Sequence, residues 1–183
     1  MNRLLQVFTV GALALASAAV LAAGPVAPDE GPYWGVNIGQ VNYSESGAPH
    51  FNPTAFLASL GWVFSGNLAV EARAGTGIGS DSKTVSGVPV DLKVKSFYGA
   101  YLRGTVPVSD GFSFYALAGY GRGKLEASAL GATASTSDGS FSGGVGGELV
   151  VTKTGSVGLE YGRMFSGSGY HAEFLSVGYR MRF

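Results

Sequence analysis

The sequence predicts an all-β chain closed into an eight-stranded antiparallel barrel that spans a membrane, an up-and-down meander. Three observations predict it. Apolar side chains recur at every second position in eight segments separated by turn residues. The opposite, polar face of those segments is also the glycine-rich one, in a chain with 30 glycines among 183 residues and only 13% charged residues. The first residues read as an export signal, and no later apolar run reaches the roughly 18 residues a membrane helix needs.

The export signal has Arg3 as its positive start, an apolar stretch over 4–21 and small residues after it. Val20-Leu21-Ala22 suits a signal peptidase, so residues 1–22 are expected to be removed and residues 23–183 to form one domain. The absence of cysteine excludes disulfides and thiolate metal sites. A formal net charge of +0 offers nucleic acid no basic footprint.

The first strand, about 33–43, puts Trp34, Val36 and Ile38 on one face and Gly35, Asn37 and Gly39 on the other. The second, about 54–65, sets Phe56, Ala58, Leu60, Trp62 and Phe64 against Ser59, Gly61 and Ser65. Ser65-Gly66-Asn67 turns the chain into the third, about 68–77. There Leu68, Val70, Ala72 and Ala74 oppose Ala69, Glu71, Arg73 and Gly75. In the fourth, about 92–106, Leu92, Val94, Tyr98, Ala100 and Leu102 are expected outward, with Lys93, Lys95, Phe97, Gly99, Tyr101 and Arg103 inward. The fifth, about 112–123, carries Phe112, Phe114, Ala116, Ala118 and Tyr120 on one face, with Leu117 inward. The sixth, about 139–151, sets Phe141, Val145 and Leu149 against Ser142, Gly144, Gly146 and Glu148. The seventh, about 156–165, sets Val157, Leu159 and Tyr161 against Glu160 and Gly162. The last alternates Leu175, Val177, Tyr179, Met181 and Phe183 with Ser176, Gly178, Arg180 and Arg182.

Connections after the even strands are short, and those at 44–53, 78–91 and 124–138 are long. Short turns at one end and long loops at the other is the pattern of an outer-membrane barrel, with the long loops extracellular. The loop at 124–138 keeps alternation on both sides of Gly131 and reads as a hairpin standing above the membrane. A soluble lipocalin-like barrel with every strand turned over would show the same alternation. Against it stand the coincidence of charge with glycine, as a narrow lumen requires, and the aromatics near strand ends (Trp34, Phe64, Phe112, Tyr120, Tyr161, Phe183), where membrane girdles belong.

On the same inward face, Glu71, Arg103, Glu148 and Glu160 lie a few residues from their short turns, and Arg180 lies near the end of the last strand. At about 3.3 Å per residue and a tilt of about 40°, they share one layer of the barrel's lower half, with Arg73 two residues along from Glu71. An eight-stranded barrel is just wide enough to be filled by side chains. These six residues are therefore expected to pair into a lumen network that packs the interior, with Arg180 reaching Glu148 and Glu160.

The stretch 33–39, the strands around Gly146-Gly147-Glu148-Leu149 and Leu159-Glu160-Tyr161, and the ending Tyr179-Arg180-Met181-Arg182-Phe183 resemble the small eight-stranded outer-membrane barrels. That group includes the outer membrane protein A transmembrane domain and the opacity-type surface proteins. The resemblance implies a monomer in the cell outer membrane, in contact with membrane lipid and lipopolysaccharide. It implies lumen pairs of Glu and Arg, for which Glu71, Arg103 and Glu148 are the matching positions; Leu117 stands where a further inward arginine would be expected. It also implies that Tyr179, Met181 and Phe183 act as a signal to the barrel assembly machinery.

Catalysis is not expected. His50 and His171 lie near loops, and His171 shares a strand face with Glu173 but with no serine two residues on. Asp81 and Asp91 are too sparse for calcium. The glycine clusters at 75–79 and 143–147 precede no helix, so neither cradles a nucleotide. No cofactor or metal is expected. Lys93 and Lys95 are placed on the inward face near the outer rim, and Phe51, Val88, Val90 and Leu130 are the apolar anchors of the loops. The expected role is structural and interactive, loops binding host, matrix or envelope partners. A narrow low-conductance porin and a lipid-A-modifying enzyme are the alternatives.

Overall fold

The computed structural model describes residues 30–45, 50–85, 87–167 and 169–183, so the expected signal at 1–22 lies outside the described residues. The strands are β1 Gly31–Glu45, β2 Thr54–Ser65, β3 Leu68–Gly77, β4 Asp81–Val85, β5 Val88–Pro107, β6 Phe112–Ala129, β7 Ala132–Val150, β8 Gly155–Gly167 and β9 Tyr170–Arg182. Neighbours pair antiparallel, β1 pairs β9, and β3 pairs β5. The ring is therefore closed through the β3–β5 pair, and among the described strands only β4, which pairs β5 alone, keeps an unpaired edge.

Among the described residues, nine strands occupy eight positions in the ring. β3 pairs the part of β5 from Phe97 to Gly104, and β4 pairs the part from Val88 to Leu92, so β3 and β4 are two halves of one stave. At the break between them the amides of Ile78 and Gly79 donate to the Thr54 carbonyl, on the β2 side. The long loop expected at 78–91 is thus mostly strand, and β4 returns into β5 at Gly87, whose φ is +83°. The loop expected at 124–138 is a hairpin, β6 and β7 paired up to Ala129↔Ala132. Leu130 and Gly131 turn it with φ of 50° and 79°, the twist of a type I′ turn.

Apolar side chains face outward. Leu60 is 65% exposed and Leu159 64%, whereas Glu71 on the opposite face is 3% exposed. A wall this apolar is stable only against lipid, which decides between the two barrels that the alternation allows.

Alternation inverts at bulges. Val94 pairs Leu125 and Ser96 pairs Lys124, so Lys95 is the extra residue. An extra residue reverses which face each side chain meets. Leu92 and Val94 are consequently buried inside the barrel, and Lys93 and Lys95 are exposed outside it, the reverse of the placement a strict period of two predicts. Two loop anchors also move inward: Phe51 bridges to Tyr43 and is buried, and Val90 packs on the core.

The interior has two storeys. Toward the long-hairpin end it is apolar: Val41, Leu57, Val94, Phe97, Leu117, Leu125, Phe165 and Phe174 are packed together. Leu117, where the resemblance called for an arginine, belongs to this layer. Toward the short-turn end the interior is charged.

Candidate functional site

The charged storey draws charged or tyrosine side chains from every strand of the ring except β2, which lends only the buried Ser59 to its lining, and β4. On β3, Glu71 and Arg73 sit two residues apart, hence on one face, and Arg73 Nε donates to Glu71 Oε1 at 2.5 Å. The same guanidinium reaches across the lumen to β8, donating from Nη1 and Nη2 to Glu160 Oε1 and Oε2 at 2.5 and 2.8 Å. Such a two-pronged pair fixes orientation as well as distance. Arg103 on β5 donates to Glu148 on β7 at 2.9 Å and lies 3.9 Å from Glu71. Arg180 on β9 ion-pairs with Glu148.

Three tyrosines complete the site. The Tyr33 hydroxyl donates to Glu71 Oε2 at 2.6 Å and the Tyr115 hydroxyl to Glu160 Oε2 at 3.0 Å. Their rings also receive the cations: the Arg103 guanidinium carbon lies 3.5 Å from the Tyr115 centroid and that of Arg180 5.1 Å from Tyr33. Arg73 lies 5.4 Å from the centroid of Tyr101, whose hydroxyl meets Ser142 Oγ at 2.8 Å. Each ring needs space beside it. A Cβ on Gly61 would overlap Tyr33, and one on Gly146 would overlap Tyr115, so these glycines are what let the tyrosines lie across the neighbouring strand.

The six charges balance, three carboxylates against three guanidiniums, in side chains no more than 13% exposed. A cavity of about 30 Å³ lies among them and one of about 20 Å³ above, room for single waters rather than a passage. The structure brings all six predicted residues into one cluster with one difference of partner: Glu160 is held by Arg73, and Arg180 is at Glu148 only. Depth counted along a strand says nothing about which strand lies opposite across the lumen. The tyrosines had a readable signal, since Tyr33, Tyr101 and Tyr115 all share the parity of the inward residues.

Other predicted positions lie elsewhere. The backbones of Tyr179 and Met181 pair with β1 at Val36 and Trp34, and the Tyr179 ring is 6.0 Å from Trp34. The Phe183 amide donates to the Pro32 carbonyl, and its ring is exposed. His50 shares a 2.6 Å hydrogen bond with Ser44, and Glu173 accepts from Tyr161 at 2.6 Å with Arg163 at 3.8 Å. Asp81 accepts from the Asn52 amide at 2.8 Å, and Asp91 accepts from Ser82. Among the described residues no group of three His, Cys, Asp or Glu is arranged to hold a metal.

Compared with known proteins, residues 8–183 match the family described as the outer membrane protein beta-barrel domain. No curated protein matches the chain. Among solved structures, the attachment invasion locus protein Ail of Yersinia pestis is similar at 20% identity and a TM-score of 0.64, covering 85% of this chain and 100% of that one. A second Ail structure, in complex with the heparin analogue sucrose octasulfate, is similar at 18% identity and a TM-score of 0.62, with coverages of 85% and 100%. Neisserial surface protein A is similar at 15% identity and a TM-score of 0.65, covering 83% and 97%. At these identities the likeness is one of fold.

Proposed function

The chain belongs to the outer membrane protein β-barrel domain family and resides in the cell outer membrane, and from that premise we propose that it is a sealed barrel whose extracellular hairpins engage partners at the cell surface. The observation that carries the reading is the filled lumen. A solute would have to displace the apolar storey around Phe97, Leu117 and Phe165 and then part Arg73 from Glu160. The network holds the wall closed from within, and the work of the molecule is left to what stands outside it.

Reconstituted in planar bilayers, the protein is expected to show no unitary conductance above the lipid baseline. A reproducible conductance that rises on Leu117→Ala would replace the sealed barrel with a narrow pore.

The surface most available for partners is the β6–β7 hairpin, whose strands 132–137 are exposed and polar. Binding of sucrose octasulfate by Ail supports an interactive role for a barrel of this shape. Replacing residues 127–134 with an Asn-Gly turn shortens the hairpin to the Glu126↔Ser135 pair and leaves the wall intact. Adhesion of expressing cells to heparin- or matrix-coated surfaces is expected to drop several-fold while heat-modifiable gel migration is kept. Unchanged adhesion removes this hairpin from the proposal.

Tyr179, Met181 and Phe183 are proposed to present the assembly signal, all three lying on the outer face beside the β1–β9 seam, with Phe183 unpacked. Deleting Phe183 is expected to lower the heat-modifiable fraction in outer membranes several-fold, with unassembled chain accumulating in the periplasm. Wild-type assembly would remove Phe183 from the proposed signal.

A further inference from the structure

The bulge at Lys95 places four cations on one exterior patch. Lys93 and Lys95 project outward from β5, and Arg122 and Lys124 from the adjoining β6, where Ser96 pairs Lys124 and Tyr98 pairs Arg122. These are four of the twelve Lys and Arg residues of a chain whose formal net charge is +0. Glu126, opposite Lys93, is hydrogen-bonded to Lys95 at 3.0 Å. Asp91, above Lys93, accepts from Ser82. Among the described residues, Lys93, Arg122 and Lys124 have no carboxylate within ion-pair distance.

The patch has a defined height. On the same face Tyr98 stands level with Arg122 and beneath the three lysines, with Tyr120 one step lower, both about half exposed, and beneath them are Leu102 and Ala118. Apolar wall, aromatic pair, then cations is the order in which a membrane protein crosses from acyl chains through the interface to the headgroups. At about 2.5 Å of axial rise per tilted residue, Arg122 stands level with Tyr98 and the three lysines roughly 5–13 Å above it. The headgroup layer of one leaflet is about 5–8 Å deep, so Arg122, Lys124 and Lys95 lie in it, and Lys93 stands just above it with a side chain long enough to reach back. They face sideways, into the bilayer plane, rather than up toward the medium.

We infer that this patch binds the phosphate groups of an outer-leaflet glycolipid, holding one headgroup against the β5–β6 wall. Arg122 offers a planar fork that matches a phosphate bidentately, and the three lysines supply point charges around it. The cations do the work a divalent ion does between neighbouring anionic lipids. The bulge has a purpose under this reading: without it, Lys93 and Lys95 would point into the apolar storey now filled by Leu92 and Val94. The inference rests on the outer-membrane barrel reading but on neither the sealed lumen nor the hairpin tip, so a pore or a neutral hairpin deletion would leave it standing.

The test uses the full mature protein in nanodiscs and bisphosphorylated lipid A as probe, beside dephosphorylated lipid A, inorganic phosphate and sucrose octasulfate. Wild type is expected to prefer bisphosphorylated to dephosphorylated lipid A at least tenfold at physiological salt. Changing Lys93, Lys95, Arg122 and Lys124 together to Gln is expected to remove that preference, and changing Lys83 and Lys153 to Gln is expected to leave it. Should the fourfold variant lose heat-modifiable migration, the pair K93Q and K124Q replaces it, with a loss of severalfold expected. Equal affinity for the two lipids, or an unaltered variant preference, overturns the inference. Tight binding of sucrose octasulfate without a lipid preference overturns it in favour of a sulfated-glycan site.

Discussion

Replacing Arg73 with alanine is expected to lower the unfolding free energy of the barrel by about 3–5 kcal/mol, the cost of breaking a buried ion pair from one side. Arg73 is bonded to both Glu71 and Glu160, so its removal strands Glu160 in the lumen and leaves Glu71 only the more distant Arg103 at 3.9 Å. Tyr33 still donates to Glu71 and Tyr115 to Glu160, and the latter bond does not neutralise Glu160. Arg73→Lys is expected to recover only part of the loss, because an ammonium cannot repeat the fork on Glu160 while holding Glu71. Urea unfolding in lipid vesicles, followed by tryptophan fluorescence and gel mobility, measures the change. The cycle of Arg73→Ala and Glu160→Ala should couple by well over 0.5 kcal/mol. Additive effects, or a loss under about 1 kcal/mol for Arg73→Ala, would mean that the network is solvated and does not close the wall.

Leu60→Arg is expected to cost about 2–4 kcal/mol, the price of an arginine near the bilayer midplane on the lipid face of a barrel. Leu60 lies on the outer face of β2, opposite Trp34 of β1 and Ala72 of β3, well inside the apolar wall. Thr84→Arg on the outer face of β4, above that wall, is expected to be nearly neutral. The pair of substitutions reads orientation directly. If water bathed the outer wall, Leu60→Arg would lie within about 0.5 kcal/mol of wild type, as exposed surface changes usually do. The same vesicle unfolding experiment measures both.

Legibility in the sequence followed the range of the interactions involved. The outward run Phe56, Leu60, Trp62 could be read because strand geometry ties facing to parity over a few residues. The hairpin about Gly131 could be read because alternation continued through it and a glycine stood at its tip. The charged layer could be read as a depth, since Glu71, Arg103, Glu148 and Glu160 all stand close to short turns. Its wiring could not: Arg73 meets Glu160 across the lumen between strands that never pair, which depends on the stagger of the closed ring. Lys93 and Lys95 were misplaced because one unpaired residue reverses parity without any mark in composition.

The sequence by itself determined that this chain is a strand meander with one apolar and one polar face, that its connections alternate short and long, and that its few charges gather on the polar side. Those properties are local, repeated by every strand, and survive an error in any single one. The tertiary structure decided which face meets lipid, that β3 and β4 share one stave, that the upper lumen is apolar while the lower is ionic, and that four cations stand outside the wall. Each of these depends on closure. Curling the sheet into a ring sets which distant strands face one another, and a single bulge then shifts everything above it from one side of the wall to the other.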